Sequence, residues 1–487
     1  MTMAETADAD RDGDREFRSV PLGEIETARS RHMWTRSAVH VAEGGDLVVT
    51  GEWDGTVTAR EVDSDSLEAR WTADHPDHAV GIATLSGGGT ESDGETAETV
   101  IVAGRGETGT VAAYDTETGE RRWRYDTADD LGEAVKDTVF YLPYVVALES
   151  GTDADGNECL YAAARRYERD GETRRWHSAV YAFDPDGTVR WRYETDASPI
   201  AIDLDADGER LAVGYNRCMG DHDVGLVVLE TGGATTESSR NGGSAELRSA
   251  DHSSGPRGGE AASNGTAEPS PGPREDGETA EGGDLAWTWD PGTEGDRRVG
   301  DVSFDGDSIA VSSHGDKRGY LLGPRGAERW CVDLAVETEI DGETLYAYPN
   351  HAYAADGRVT FVTGNTYAVE SRETERRHPN EHRIATFDAD GELAWDDQVR
   401  GFVHGLAADG ETIVAPCAQN FRVRDPETHA VRRFDLESGP ERVDRLAGIA
   451  TAAAVDDGTL AAIEEPVAYH DEGETRGEYA LHVASIE

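Results

Sequence analysis

Three observations predict an all-β fold, an eight-bladed β-propeller of four-stranded antiparallel blades. A strand, a tight polar turn and a second strand recur along the chain. An aromatic residue stands at a near-constant distance after each turn. Most successive aromatic markers are spaced near the about 40–50 residues of one propeller blade, and the longer gaps contain long charged loops or an insertion. The clearest copy is Val111-Ala-Ala-Tyr-Asp-Thr-Glu-Thr-Gly-Glu-Arg-Arg-Trp123-Arg-Tyr125, and others run over 181–191, 384–395 and 421–434.

Taken in order, residues 1–14 are an acidic lead with no apolar pattern, expected to be disordered. Residues 15–20, containing Phe17, read as a strand of the outermost kind with no blade ahead of it. Such an orphan can complete the last blade and close the ring, which removes an exposed sheet edge. The first unit has strands at 38–41, 47–50, 56–59 and 68–71, the second at 81–85, 99–103, 110–114 and 121–125. Their alternation and their Gly, Asp and Asn turns suit hairpins. The last unit offers 449–454, 459–463 and 479–485 but no fourth strand, which 15–20 supplies. The aromatic markers are Phe17, Trp71, Trp123, Trp191, Trp287, Trp330, Trp395 and Phe434. The widest gap, between Trp191 and Trp287, contains a low-complexity stretch, 232–283, rich in Gly, Ser, Glu, Pro and Ala. It reads as a disordered insertion within one blade, because apolar strands at 225–229 and 285–289 flank it. Residues 15–487 therefore form a single domain in this reading.

The chain has 99 acidic and 45 basic side chains and a formal net charge of −54. Lys136 and Lys317 are its only lysines, so nearly all the basic groups are arginine. Apolar runs of strand length argue for a folded core under a very acidic surface. Self-repulsion would strain that surface at low salt, and screening over ~3 Å at 1 M salt relieves it. A salt-adapted halophile protein is expected. Nucleic acid is an unfavourable partner for this charge. Cys159, Cys218, Cys331 and Cys417 are scattered, with no metal-binding or disulfide spacing. No apolar stretch reaches membrane-spanning length and no export signal is evident, so membrane insertion is not expected and a cytoplasmic location is.

The units resemble the quinoprotein-type, PQQ-like propeller repeat, whose form is an apolar strand, Ala-x-Asp-x-x-Thr-Gly and an aromatic strand. Ala113-Tyr-Asp-Thr-Glu-Thr-Gly-Glu-Arg-Arg-Trp123 matches it closely. The units at Asp184, Asp388 and Asp425 match with variation. Those at Leu229 and Gly323 keep the aromatic and lose the Asp. The resemblance implies that Trp71, Trp123, Trp191, Trp287, Trp330 and Trp395 dock adjacent blades. The family includes quinone-dependent dehydrogenases and scaffolds similar to the bacterial outer-membrane assembly lipoprotein. Its secreted dehydrogenases carry adjacent cysteines and an export signal, which are not found here.

In such a blade the second-to-third-strand and blade-to-blade connections share one face. Here they are long and chemically mixed: 165–177, 215–222, 312–317, 365–382, 417–420 and 464–470, with Trp34, His75, His78, Tyr141, Tyr144, Asn350 and His351 on the others. The turns of the opposite face are short and acidic. Rigid scaffolds commonly present function on such loops. The candidate binding residues are Trp34, Tyr144, Tyr167, Trp176, His177, Arg217, His314, His351, Tyr367, Gln419 and Tyr469. No catalytic residue, metal ligand or cofactor is assigned. His75/His78 and His378/His382 have ligand-like spacing but no third ligand. The expected function is non-catalytic, a scaffold that docks a protein or peptide across this face. The alternative is an enzyme or a binder of a small, quinone-like molecule in the central funnel. An axial pocket with convergent His, Tyr and Arg would favour the alternative.

Overall fold

The computed structural model describes residues 17–29, 36–63, 66–85, 98–232, 283–293, 295–371, 374–420, 425–469 and 473–486. Its strands follow the apolar runs. Leu47–Gly51 and Thr99–Arg105 are buried at every position, whereas Arg121–Asp126 has only exposed and half-buried residues. A strand covered on both faces must be apolar throughout, and an outer strand need be so on one face only.

The protein is an all-β propeller with several four-stranded antiparallel sheets. One sheet is Ala38–Ala42, Leu47–Gly51, Thr56–Glu61 and Ala69–Asp74. The next two are joined into one larger sheet because Tyr144 pairs with Arg105. They comprise His78–Leu85, Thr99–Arg105, Thr110–Asp115 and Arg121–Asp126, then Tyr144–Thr152, Glu158–Asp170, Thr173–Phe183 and Val189–Thr195. Ala197–Leu204, Arg210–Cys218, Leu226–Glu230 and Leu285–Trp289 follow. Leu226–Glu230 pairs directly with Leu285–Trp289, and most of the 232–283 stretch lies outside the described residues. Val299–Asp305 to Glu328–Asp333, Glu343–Ala355 to Leu393–Gln398, and Ala407–Asp409 to Gly439–Arg445 form further sheets. In the last, Ile449–Asp456, Thr459–Glu465 and Ala480–Ser485 are joined by Arg18–Pro21 from the beginning of the chain. The acidic lead 1–14 lies outside the described residues.

Neighbouring sheets are held by a repeated contact. The indole N–H groups of Trp71, Trp123, Trp191, Trp330 and Trp395 donate to the carbonyls of Thr116, Pro185, Thr231, Ala389 and Leu436, at 2.6, 2.8, 3.1, 3.0 and 3.0 Å. Each indole also lies against a glycine of the next sheet's outer turn: Gly119, Gly187, Gly283, Gly391 and Gly439, all at positive φ. Trp287 meets Gly326 in the same way. The turn itself is built by its aspartate. Asp115 Oδ1 accepts the N–H of Thr118 at 2.8 Å and its hydroxyl at 2.9 Å.

This geometry corrects one unit. Asp425 does not head such a turn; it caps the short 3-10 turn Pro426–Thr428 by accepting the N–H of Glu427. The true turn is Asp435-Leu-Glu-Ser-Gly439, where Asp435 Oδ1 accepts the N–H and hydroxyl of Ser438, both at 2.6 Å. Phe434 therefore lies on the third strand, buried and stacked on Trp395 with the ring planes 6° apart. The outer strand Gly439–Arg445 has no aromatic residue. A Ser replaces the repeat's Thr with the same hydrogen bonds, and that substitution hides the match.

The innermost strands are tied edge to edge by side chains. Asp203 Oδ2 accepts the Phe304 N–H at 2.5 Å. Asp301 and Asp305 accept those of Ala352 and Gly357 at 3.0 and 2.7 Å. These bonds satisfy backbone donors that the sheets leave open at the axis.

Candidate axial site and its arginine collar

The innermost strands Tyr144–Thr152, Ala197–Leu204, Val299–Asp305 and Glu343–Ala355, with residues 402–408, enclose a cavity of about 620 Å³. Tyr144, Arg165, His314, Asn350, His351 and His404 line it, together with Glu149, Asp203 and Asp301. Tyr144 opens its strand and Glu149 lies five residues along it, roughly 16 Å deeper at the rise of a strand. A second cavity of about 600 Å³ shares Glu149, Leu406 and Ala408 with the first and contains His40, Glu98 and Asp456. The two chambers thus meet at Glu149.

Cations converge at the mouth. Arg165 Nη1 donates to Ser198 Oγ and the Pro199 carbonyl at 2.5 and 2.9 Å. Its guanidinium lies 5.2 Å from the Trp176 ring and 5.4 Å from that of Tyr144. Arg105 covers Tyr144 at 4.6 Å and donates twice to the Val139 carbonyl. Arg297 covers Tyr348 at 4.5 Å, and Lys317 covers Tyr346 at 5.0 Å. Aromatic faces hold these charges. Among the described residues neither Arg165 nor Arg297 forms an ion pair with Asp or Glu. Burial lowers Arg165 to about 10, with Tyr144 opposing the shift and Arg105 and Arg217 adding to it. Arg165 remains charged at neutral pH.

His314 and His404 are neutral there. Burial, then Arg297, lowers His314 to about 3. Burial, then His351 and Arg36, lowers His404 to about 4. His314 Nδ1 faces Asn216 Nδ2 at 2.7 Å, and His351 Nε2 donates to the Val403 carbonyl at 2.9 Å. Deeper in, burial and then Asp203 raise Glu149 to about 8, and burial raises Asp203 to about 7. A collar able to receive negative charge therefore stands above carboxyls that hold protons.

The structure gathers some predicted residues and disperses others. Tyr144, His314 and His351 line the cavity, and Arg217 acts on both Arg165 and His314. Trp176 supports Arg165 but is buried, as is Tyr167. The expected loop carrying them is a long hairpin of Glu158–Asp170 and Thr173–Phe183. Its aromatics pack with Tyr141 beneath Phe140, which is 43% exposed. His177 pairs with Glu168 at 3.2 Å on that hairpin. Tyr367 stacks on Tyr346 and lies tilted against Tyr348. Gln419 and Tyr469 are core residues at 1% exposure, and Tyr469 meets His429 Nε2 at 2.5 Å, so neither is placed to receive a partner. Trp34 lies outside the described residues. His404 was missed: it lies on the connection between Leu393–Gln398 and Ala407–Asp409, where no motif or spacing marks it.

No group of three or more His, Cys, Asp or Glu among the described residues is arranged to hold a metal ion. Cys159, Cys218 and Cys417 are buried, Cys331 sits on an outer strand, and none lines the axial cavity.

The family model described as outer membrane protein assembly factor BamB matches residues 53–260. Over those residues the chain is similar to the PQQ-like, BamB-type β-propellers. BamB from Moraxella catarrhalis is 13% identical, with 96% of this chain and 100% of that chain covered and a TM-score of 0.47. A quinohemoprotein alcohol dehydrogenase from Pseudomonas putida HK5 is 10% identical, with 97% and 76% covered and a TM-score of 0.52. At such identities the likeness concerns the fold alone. No curated protein matches the chain.

Proposed function

We propose that the protein is an eight-bladed ring, closed by its N-terminal strand, that binds a small organic anion in the axial cavity without chemistry of its own there. One observation carries the reading. In a chain of net charge −54, Arg165, which lines a cavity of about 620 Å³, has no Asp or Glu ion-pair partner among the described residues, nor has Arg297; Arg105 and Arg217 act on Arg165, and Arg297 and Arg217 on His314 in the cavity wall. Holding like charges together in a partly dry site costs stability, and a ligand carboxylate offsets that cost when it binds. The acidic surface serves a salt-adapted, cytoplasmic protein. The test is calorimetric titration of the full chain in molar potassium chloride with di- and tricarboxylates, using matched neutral amides as controls. One-to-one binding of the carboxylates alone is expected. Equal binding of both series, or of neither, sinks the reading.

Docking of a protein or peptide partner is the second reading. Exposed Phe140, seated on Tyr141, Tyr167 and Trp176 beside the mouth, favours it. Aromatic anchors of this kind commonly dominate interfaces. A stoichiometric partner retained by the native chain and lost with Phe140→Ala would support it.

A further inference from the structure

Far from the axial collar in the chain's contact pattern, three side chains form a hydrogen-bonded line. Ser19 Oγ lies 2.7 Å from His482 Nδ1, and His482 Nε2 lies 2.8 Å from Glu464 Oε2. Ser19, on Arg18–Pro21, is exposed and directly opposite His482. His482 is opposite Ala462 on the next strand in, and Glu464 is two residues further along the same face. Strand alternation and register alone therefore bring the three together.

The line is oriented and open at one end. The Phe17 ring meets the imidazole edge-on at 5.5 Å. Glu464 Oε1 accepts the N–H groups of Gly448 and Glu478 at 2.5 and 3.4 Å. Burial pushes the Glu464 carboxyl up, but the His482 and Gly448 hydrogen bonds outweigh it and keep the group ionised. The ionised Glu464 accepts a hydrogen bond from the Nε2–H of His482, which leaves Nδ1 as acceptor for the Ser19 hydroxyl. A hydroxyl next to a base that is itself held by a third group is the signature of an activated nucleophile. The three residues line a cavity of about 580 Å³, walled by Val20, Pro21, Ala447 and Ala480. Glycines keep it open: a Cβ on Gly477 would lie 2.5 Å from Glu464 Oε1, and one on Gly448 would lie 2.8 Å from it. A backbone donor is also at hand. The Leu22 N–H donates inward to the Tyr479 carbonyl. Alternation along an antiparallel strand therefore turns the Ser19 N–H outward, beside its own hydroxyl.

We propose that Ser19, His482 and Glu464 form an acyl-transfer site for small, uncharged carboxylic esters. Ser19 is the nucleophile, His482 the general base and Glu464 the positioning residue. Ser19 Oγ bonds to the ester carbonyl carbon, its proton passes to His482 Nδ1, and the carbonyl electron pair moves onto oxygen near the Ser19 N–H. When that pair returns, the bond to the alkoxy oxygen breaks and the leaving alcohol takes the Nδ1 proton. Water attacks the acyl-Ser19 by the same route and releases the carboxylic acid. The apolar wall suits a short acyl chain, and Glu464 and Glu478 repel an anionic one.

The test uses the full chain in molar potassium chloride with a fluorophosphonate probe, followed by peptide mapping and p-nitrophenyl acetate hydrolysis. The expected adduct is on Ser19. Ser19→Ala should melt like the parent, since Ser19 is exposed, and should lose at least about 100-fold in hydrolysis. Glu464→Gln should lower kcat with KM unchanged, and Glu464→Asp should restore part of it. A natively folded chain that takes no label on Ser19, or a Ser19→Ala variant as fast as the parent, overturns the proposal. Neither result bears on the axial cavity, which shares no residue with this one.

Discussion

Gly187 lies flat against the face of Trp123, so close that a Cβ on the glycine would stand 2.6 Å from the ring. The same indole donates its N–H to the Pro185 carbonyl two residues earlier in that turn. The turn of one sheet is therefore shaped around the outer strand of the sheet before it. The repeat's glycine and its tryptophan are two halves of one contact, placed in different units.

Gly187→Ala should destabilise the protein through two separable effects. The residue has φ of 85°, where an L side chain costs ~1–2 kcal/mol. Overpacking against the ring adds about 1–3 kcal/mol. Gly171, with φ of 58° and nothing within 4 Å of its would-be Cβ, carries the first cost alone. Chemical denaturation of both variants should rank Gly187→Ala as clearly the more damaging; equal losses would mean that the Trp123 contact is slack.

The axial carboxyls predict a pH dependence of definite sign. Folded Glu149 titrates near 8 and folded Asp203 near 7, above their ordinary values of 4.5 and 3.8. Between those limits the folded chain holds more protons than the unfolded chain, so this contribution to stability falls as pH rises from about 4 to about 8. His314 and His404, lowered from 6.5 to about 3 and 4, act oppositely: they lose stability as pH falls below 6.5. Glu149→Gln should therefore raise the melting temperature more at pH 8 than at pH 5. A shift of the same size at both pH values would refute the proton-holding assignment.

The fold was legible wherever a unit kept its local chemistry. The Asp115 turn carries Thr118 and Gly119, and its hydrogen bonds are those the repeat requires, so sequence alone located it. The unit at Asp435 was misplaced because Asp425 offered a nearer match and Phe434 resembled an outer-strand aromatic. Only the pairing of Ala430–Asp435 with both Thr412–Cys417 and Gly439–Arg445 distinguishes them. The site was legible as a face but not as a cluster. Tyr144, Arg165 and His314 are far apart in sequence, and their convergence depends on ring geometry that no local spacing encodes. Gln419 and Tyr469 failed for the opposite reason: both are polar residues at loop ends that turn into the core, where Tyr469 meets His429.

That reassignment can be checked directly. Asp435→Ala removes the acceptor for Glu437 and Ser438 in the turn that receives the Trp395 indole. It should cost about 2–3 kcal/mol, the sum of three hydrogen bonds at roughly 1 kcal/mol or less each. Asp425→Ala removes a single cap-like bond to Glu427 and should cost about 1 kcal/mol or less. Denaturant titration that reverses this order would restore the original register.

Arg165 offers the sharpest test of the axial reading, because stability and binding should move in opposite directions. Its guanidinium is partly dry and lacks a carboxylate partner among the described residues, and Arg105 and Arg217 add to the repulsion. Replacing a desolvated charge by an apolar side chain of similar length is commonly neutral or stabilising. Arg165→Met should therefore melt at the same temperature as the parent or higher. The same change removes a charge-assisted hydrogen-bond donor, worth about 1.5–3 kcal/mol, and should weaken carboxylate binding at least about 10-fold. Phe140→Ala, at the exposed cluster beside the mouth, should leave that affinity unchanged. If Arg165→Met instead unfolds the ring more easily and binds carboxylates as well as the parent, the arginine serves packing on Trp176 and Tyr144, and the collar is not a ligand site.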